Sequence, residues 1–491
     1  MTANVLLGEA KHDSAPDETG TQNVSYTGSH WSTYPPKLVF HLGTQCSSTQ
    51  ITANADLAFG FGNASEEANM SYFNENGQST TDTQYGIQNA DVVTHIGDNA
   101  AITEAASISS LTAATVQLHW ETVIDTGLTF GQLALGGDAI ENISIDIIET
   151  PLANGQVSYT GPGFQPDALI SLFGSTTSNV PYRVNGSFCG MGMSDGTTDV
   201  SSYQTSLNNQ STSNTASLMK DQFISLYKWN KNPQETATVV SLDSSGYTLD
   251  WSFTSGSTER EVVILAIKGP AVKVLRGTQP TSNSTVNRDA GFPPKAAIGF
   301  MSMKAASADS TDDSRLGVGF WSAQGDSQKS GGALDEDGQS TSDTDRYFST
   351  THGLKNYNHA QTVTGQATIG SSGDNLTETW SNTDGTEYAH AWMIFGDTPA
   401  ASPAATSTGI TSIISSGLSQ LNTGNSLVSV AGAKGLGASG TLIAEITSTN
   451  VLDRTINEPG APVGVLDNRF EERLDETSYY AGSGAYWGYS R

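Results

Sequence analysis

Short apolar runs separated by turn residues recur along this chain on a fixed schedule. Tyr34-Pro35-Pro36-Lys37-Leu38-Val39-Phe40, Phe164-Gln165-Pro166-Asp167-Ala168-Leu169-Ile170 and Phe292-Pro293-Pro294-Lys295-Ala296-Ala297-Ile298 each place an aromatic residue and a proline ahead of an apolar run. Proline sets an extended entry to a strand without occupying its hydrogen-bonded interior. A second run carries glycines in register: Leu57-Ala58-Phe59-Gly60-Phe61-Gly62, Phe188-Cys189-Gly190-Met191-Gly192 and Leu316-Gly317-Val318-Gly319-Phe320-Trp321. Glycines between large apolar residues predict a bulge or a backbone pressed against a neighbouring layer.

A turn then follows in each copy, at Asn76-Gly77-Gln78-Ser79-Thr80-Thr81-Asp82-Thr83, Asn208-Asn209-Gln210-Ser211-Thr212-Ser213-Asn214-Thr215 and Asp337-Gly338-Gln339-Ser340-Thr341-Ser342-Asp343-Thr344. It returns after 132 and then 129 residues, which predicts a triplicated domain. Gly77, Asn209 and Gly338 occupy the position where a positive φ is needed, and Gly and Asn tolerate it. Trp120, Trp251 and Trp380 end short alternating strands, and each precedes a further apolar strand closed by glycine. Ile143, Ile145 and Ile147 alternate as one more half-buried strand, read here as the last of the first repeat.

Many short strands with turn signals and no long helical period predict an all-β fold: three tandem antiparallel β-sandwich repeats, jelly-roll-like, of about 130 residues each. The boundaries that follow are an N-terminal arm (1–22), repeats over 23–152, 153–282 and 283–406, and an irregular C-terminal region (407–491). Val24-Ser25-Tyr26-Thr27-Gly28 returns as Val157-Ser158-Tyr159-Thr160-Gly161, while the third copy has lost this lead-in sequence. The end of the chain, Tyr479 to Tyr489, is rich in aromatics and glycine. It reads either as a docking arm that orders on a partner or as a strand tucked onto the third repeat.

Composition narrows the functional classes. Charged residues are only 15% of the chain, yet 50 acids against 22 bases give a formal charge of −28. Such a surface repels nucleic acid and anionic membranes. No window approaches a membrane span, and the N-terminus lacks the basic start and apolar core of a signal peptide. The two cysteines, Cys46 and Cys189, sit at different repeat positions, so they form neither a shared disulfide framework nor a cysteine metal site.

The chemistry on offer is sparse. The Gln-Ser-Thr turn carries hydroxyls, amides and a carboxylate that suit three sugars or three cations. The change of Asp82 to Asn214 between copies favours backbone-bonding turn residues instead. Asp335, Asp337, Asp343 and Asp345 cluster around a glycine turn and are the candidate calcium ligands, although the spacing is not that of an EF-hand. Gly325-Asp326-Ser327 lacks a nucleophile elbow, Gly190-Met191-Gly192 lacks a following helix, and the eight histidines form no metal-binding pair. The three tryptophans read as core anchors rather than sugar platforms. The expectation is a protein without catalytic residues or a resident cofactor.

The aromatic-Pro-x-Ala-x-Ile opening, the Gly-x-Gly-Phe strand, Asp337 to Arg346 and the stretch from Gly246 to Gly269 together resemble a domain of uncharacterised structural proteins of tailed bacteriophages and prophages, over about residues 24–400. The resemblance implies a virion component, made in the host cytoplasm and located on the tail, baseplate, fibre or head as a decoration. Its implied partners are other virion proteins and further copies of itself, with no nucleic acid and no membrane insertion. A carbohydrate-binding adhesin is the alternative, since three weak sites for host surface glycans would gain avidity from multivalency.

Overall fold

The computed structural model describes residues 5–398, apart from short stretches at 28, 47–49, 99–100, 125–127, 175–181, 229, 254–258 and 306–309, together with the strands Ala433–Leu436 and Leu442–Ala444. Residues from Ala3 to Pro399 form one compact body. The two later strands pair antiparallel in a separate C-terminal body, and the rest of the proposed docking region, 407–491, lies outside the described residues.

The main body is all β, as expected, and every pairing in it is antiparallel. Its described residues form three seven-stranded and three four-stranded sheets, one of each to a unit. In the first unit the large sheet is built on Leu6–Ser14, Thr129–Gly137, Pro36–Gly43, Ala55–Gly62, Glu67–Asn74 and Thr83–Gln88. The small sheet comprises Gly20–Ser25, Thr115–Val123, Ile102–Thr112 and Val93–Ile96. The other two units repeat this order.

Successive residues of the large sheets serve two different cores. Leu38 and Phe40 enter an apolar core shared by all three units, while Val39 between them packs with Val93, Leu118 and Trp120 inside the first sandwich. Val263, Leu265 and Ile267 likewise face the shared core, and Val262, Ile264 and Ala266 face the second sandwich with Leu249 and Trp251. Burial on both faces explains why these strands read as continuous apolar runs rather than alternating ones. Phe59 and Phe320 meet in the shared core with ring centroids 6.3 Å apart. Each such side chain, fully buried, contributes about 1.5–3 kcal/mol.

The seventh strand of each large sheet comes from another unit. Tyr182–Asn185 of the second unit pairs with Thr83–Gln88 of the first, and Ser310–Thr311 of the third pairs with Thr215–Lys220 of the second. Ile51–Ala53 of the first pairs with Thr344–Ser349 of the third, which closes the exchange into a ring. The opposite edges are clasped in the same cyclic sense. The Ala10 amide donates to Ser322 Oγ at 3.0 Å, that of Ile145 to Glu66 Oε2 at 3.0 Å, and that of Val274 to Asp195 Oδ2 at 2.9 Å. Both edges of every large sheet are thereby engaged by a neighbouring unit.

Two boundaries differ from the sequence expectation. Residues 1–22 are not a free arm, because Leu6–Ser14 pairs along its whole length with Thr129–Gly137. Asn142–Glu149, with Ile143, Ile145 and Ile147, is not the last strand of the first repeat: it pairs with Glu261–Lys268 and opens the second unit. In the pairing pattern, the units start near residues 6, 142 and 271.

Two readings of the repeats hold in detail. Gly60, Gly192 and Gly319 each lie beneath a backbone carbonyl of the segment leading to the small sheet, that of Val92, Phe223 and Gly353 respectively, where a side chain has no room. The lead-in strand survives in the third copy despite its lost sequence, as Thr285–Asp289 paired with Asn375–Ser381.

Candidate functional site

The three Gln-Ser-Thr turns converge on one point, the approximate threefold axis of the body. Gly77, Asn209 and Gly338 adopt φ values of 78°, 58° and 73°, as their residue types predict. With the backbone so turned, Gly77 N–H donates to Ser342 O and Ser342 N–H to Gln78 O, each at 2.8 Å. Asn209 and Thr81 exchange the same pair with Thr81 O and Gln210 O, at 2.7 and 2.9 Å. Gly338 and Ser213 do so with Ser213 O and Gln339 O, both at 2.9 Å.

Side chains complete the lock. The hydroxyls of Ser342, Thr81 and Ser213 donate to the carbonyls of Glu75, Leu207 and Glu336, and accept the amides of Gln78, Gln210 and Gln339. Asn76, Asn208 and Asp337 each offer an Oδ1 to the amide of a neighbouring unit, at Thr344, Thr83 and Thr215. This position needs an acceptor and not a charge, so Asn and Asp interchange there. Exposed hydroxyls remain at Ser79-Thr80, Ser211-Thr212 and Ser340-Thr341, one pair per unit.

One layer further in, the equivalent residues Asn74, Ser206 and Asp335 meet on the axis, all buried. Asp335 Oδ2 accepts from Ser206 Oγ at 2.6 Å, from Tyr72 OH at 3.3 Å and from Asn74 Nδ2. Burial pushes the Asp335 carboxyl up to about 7, against the pull of those donors.

The four acids expected to bind calcium do not converge. Asp335 pairs in register with Thr344, and Asp345 with Leu334. Leu334 packs in the third sandwich and Ala333 in the shared core, so alternation sends Asp335 and Asp345 to opposite faces of the sheet. Asp337 is committed to Thr215, and Asp345 Oδ1 accepts from Gln361 Nε2 at 2.7 Å. Only Asp343 joins a cluster of donor atoms within 4.8 Å of one another, with Glu336 and His359. The equivalent shoulder of the first unit gathers Glu75, Asp82 and Asp98 in the same way.

Each sandwich also buries a carboxylate with a basic partner. In the first, Asp56 lies 2.8 Å from His95 Nδ1, and its Oδ1 accepts the Gln45 amide. In the second, Glu235 pairs with Arg260. In the third, Glu378 accepts from Arg288, His390, Trp380 and Trp392 at 2.8–3.1 Å. A cavity of about 10 Å³ beside His41, His95, Glu104 and Trp120 has room for one water at most. Trp120, Trp251 and Trp380 are buried in the sandwich cores, in the anchoring role expected of them. Cys46 and Cys189 are buried and not joined in a disulfide.

Sequence reading singled out Asp335 as a calcium ligand rather than an axial residue, and it missed His359 and the meeting of Asn74 and Ser206 with Asp335. The signal was present: polar residues alternate just before each turn, as Asn74-Glu75-Asn76, Ser206-Leu207-Asn208 and Asp335-Glu336-Asp337. No family model, curated protein or solved structure matches the chain.

Proposed function

We propose that the chain is a structural protein of a tailed bacteriophage virion, acting as a multidomain scaffold on the particle surface. The observation that carries this reading is the closed ring: one polypeptide supplies three sandwiches joined by strand exchange, edge clasps and a three-turn lock. Such a chain places a rigid, threefold-like block at one position of an assembly without subunit association. What the three copies keep is their mutual contacts, whereas the buried ion pairs differ from unit to unit, a pattern that fits selection for architecture. The sequence resemblance supports the same reading, and the acidic surface favours protein neighbours over nucleic acid.

Mass spectrometry and density mapping of purified particles test it. The chain is expected in stoichiometric copy number, with density of about its mass on the particle exterior. Its absence from purified particles would sink the proposal.

The adhesin reading draws on a different observation, the three exposed hydroxyl pairs displayed around one axis. It predicts glycan-array binding that disappears when Ser79-Thr80, Ser211-Thr212 and Ser340-Thr341 are all replaced by alanine. A silent array with the native chain overturns it.

A further inference from the structure

We propose that copies of this chain associate strand against strand through the open edges of the first two small sheets, Gly20–Ser25 and Gly155–Tyr159. Each small sheet has a closed side and an open one. Val93–Ile96 and Leu354–Tyr357 are buried along their whole length, and Ile224–Tyr227 is buried up to its last residue. The strands at the opposite edges, Gly20–Ser25, Gly155–Tyr159 and Thr285–Asp289, alternate between covered and exposed positions and pair with one neighbour only.

Hydrogen bonding fixes which groups face outward. Tyr26 N–H donates to Ala114 O at 2.8 Å, one step beyond the pairing of Ser25 with Thr115. Bonded residues alternate in an antiparallel ladder, so Gly20, Gln22 and Val24 bond the neighbouring strand, while Thr21, Asn23 and Ser25 turn both N–H and C=O away from it. The third unit has the same phase, since Trp380 N–H donates to Ser284 O at 2.8 Å and Ala290 N–H to Asp374 O at 2.9 Å. In the second, Val157 stands where Val24 does, which directs Gln156 and Ser158 outward. Thr21, Asn23, Ser25, Gln156 and Ser158 are exposed, and no other strand among the described residues takes up their outward main-chain groups.

Open edges are ordinarily blunted by charge, proline or a bulge. Gly20–Ser25 and Gly155–Tyr159 contain no charged residue and no proline, and both pair without a register shift. In a chain of formal charge −28 this neutrality selects the occupant. Two copies repel one another over most of their surface, and an edge without charge is where their backbones can meet. The edges are also self-complementary. About a twofold axis at Asn23, Thr21 stands opposite Ser25 of the second copy and Asn23 opposite its own counterpart; about one at Val157, Gln156 stands opposite Ser158. The third edge carries Arg288 and Asp289 and lacks this neutrality.

Strand addition is already how the chain joins its own units, as where Tyr182–Asn185 extends the sheet at Thr83–Gln88. Edges of 6 and 5 residues make a small contact, below the roughly 1,200 Å² of a stable interface, so each pairing is weak. Two edges per copy add avidity once copies are concentrated.

Sedimentation velocity of the full chain between about 1 and 500 µM, at about 0.15 M salt, tests the proposal. The weight-average mass should rise with concentration, and amide exchange in residues 20–25 and 155–159 should slow in step. Asn23→Pro combined with Ser158→Pro removes outward N–H groups that the ladder does not use, and should weaken association about tenfold or more. Ser109→Asp adds a charge to an exposed position of Ile102–Thr112, away from either edge, and should leave association unchanged. Should the proline variant fail to fold, Asn23→Asp combined with Ser158→Asp decides, because both side chains are exposed and like charges then meet at the Asn23 axis. A single chain mass at every concentration overturns the proposal. So does association that the edge variants leave undiminished, or exchange protection confined to other segments.

Discussion

Gly77 donates its backbone N–H to the carbonyl of Ser342 at 2.8 Å, joining the first unit to the third, and the Ser342 hydroxyl receives the next amide, Gln78, at 2.9 Å. One serine thus binds a neighbouring turn through both main chain and side chain, and Thr81 and Ser213 do the same elsewhere in the ring. Replacing Ser342 by alanine removes the partner of the Gln78 amide and of the Glu75 carbonyl in a part-buried setting, at a cost of about 1 kcal/mol. Thr81→Ala and Ser213→Ala, whose hydroxyl bonds are equally part-buried, should cost about as much. Because the three hydroxyls belong to one closed network, pairs of these changes should depart from additivity by about 0.5 kcal/mol or more. Urea unfolding measures both quantities; small, additive effects would show that the turns touch without locking.

The strands, the positive-φ turn position and the tryptophan anchors were legible because each depends on local pattern. The ring was not. Asn208 caps an amide 125 residues away at Thr83, and nothing in the Asn208 segment names that partner. Ile51–Ala53 is too short to carry a period, yet it closes the exchange. The strand Leu6–Ser14 reads as an arm because its apolar positions are few, but its backbone pairing needs no side-chain signal. Asp335 and Asp345 look alike in sequence and differ only through register, which sends one to the axis and the other to the sandwich side. The lost lead-in sequence at Thr285–Asp289 makes the same point in reverse, since edge pairing through the main chain outlives the residues that first announced it.

The axial carboxyl gives stability a pH dependence of known sign. Asp335 has its folded-state value raised to about 7 from an ordinary 3.8, so the folded protein holds this proton more tightly than the unfolded chain. Its contribution is therefore most favourable below about pH 4 and declines as pH rises toward 7, by at most about 4 kcal/mol. Asp335→Asn keeps an acceptor for Ser206 and Tyr72 and removes the ionisation. The variant should gain most over the native chain at pH 8, and the gain should shrink steadily as pH falls toward 4. Equal pH dependence of the two proteins in urea titrations would contradict this.

The in-register glycines are sites of close approach. A Cβ at Gly192 would lie 2.6 Å from Ser171 Oγ and 2.9 Å from the carbonyl carbon of Phe223, and one at Gly319 would lie 3.0 Å from that of Gly353. Backbone cannot yield as a side chain can, so alanine at either position should cost about 1–3 kcal/mol. Gly370→Ala, which would meet only the Thr377 hydroxyl at 3.1 Å, should stay within about 0.5 kcal/mol of the native chain. Thermal unfolding of the three variants side by side provides the comparison, and equal losses at all three would remove close approach as the explanation.

Glu378 works in the opposite direction to Asp335 and in a separate pH window. Burial alone would push its carboxyl up, but His390 and Arg288 outweigh that and hold it at about 2. A value depressed from an ordinary 4.5 means that the stabilisation is fully present above pH 4.5 and is lost as pH falls toward 2, by about 3 kcal/mol. Glu378→Gln removes the buried charge that four donors converge on and leaves the part-buried Arg288 guanidinium without its carboxylate, which should cost about 3 kcal/mol at neutral pH. The same change should flatten the decline between pH 4.5 and 2, because the ionisation responsible is gone. The slope above pH 4.5, assigned to Asp335, should persist in this variant. Acid titrations of Glu378→Gln and Asp335→Asn monitored by tryptophan fluorescence separate the two windows, and a Glu378→Gln protein that kept the native acid limb would show that another carboxylate governs it.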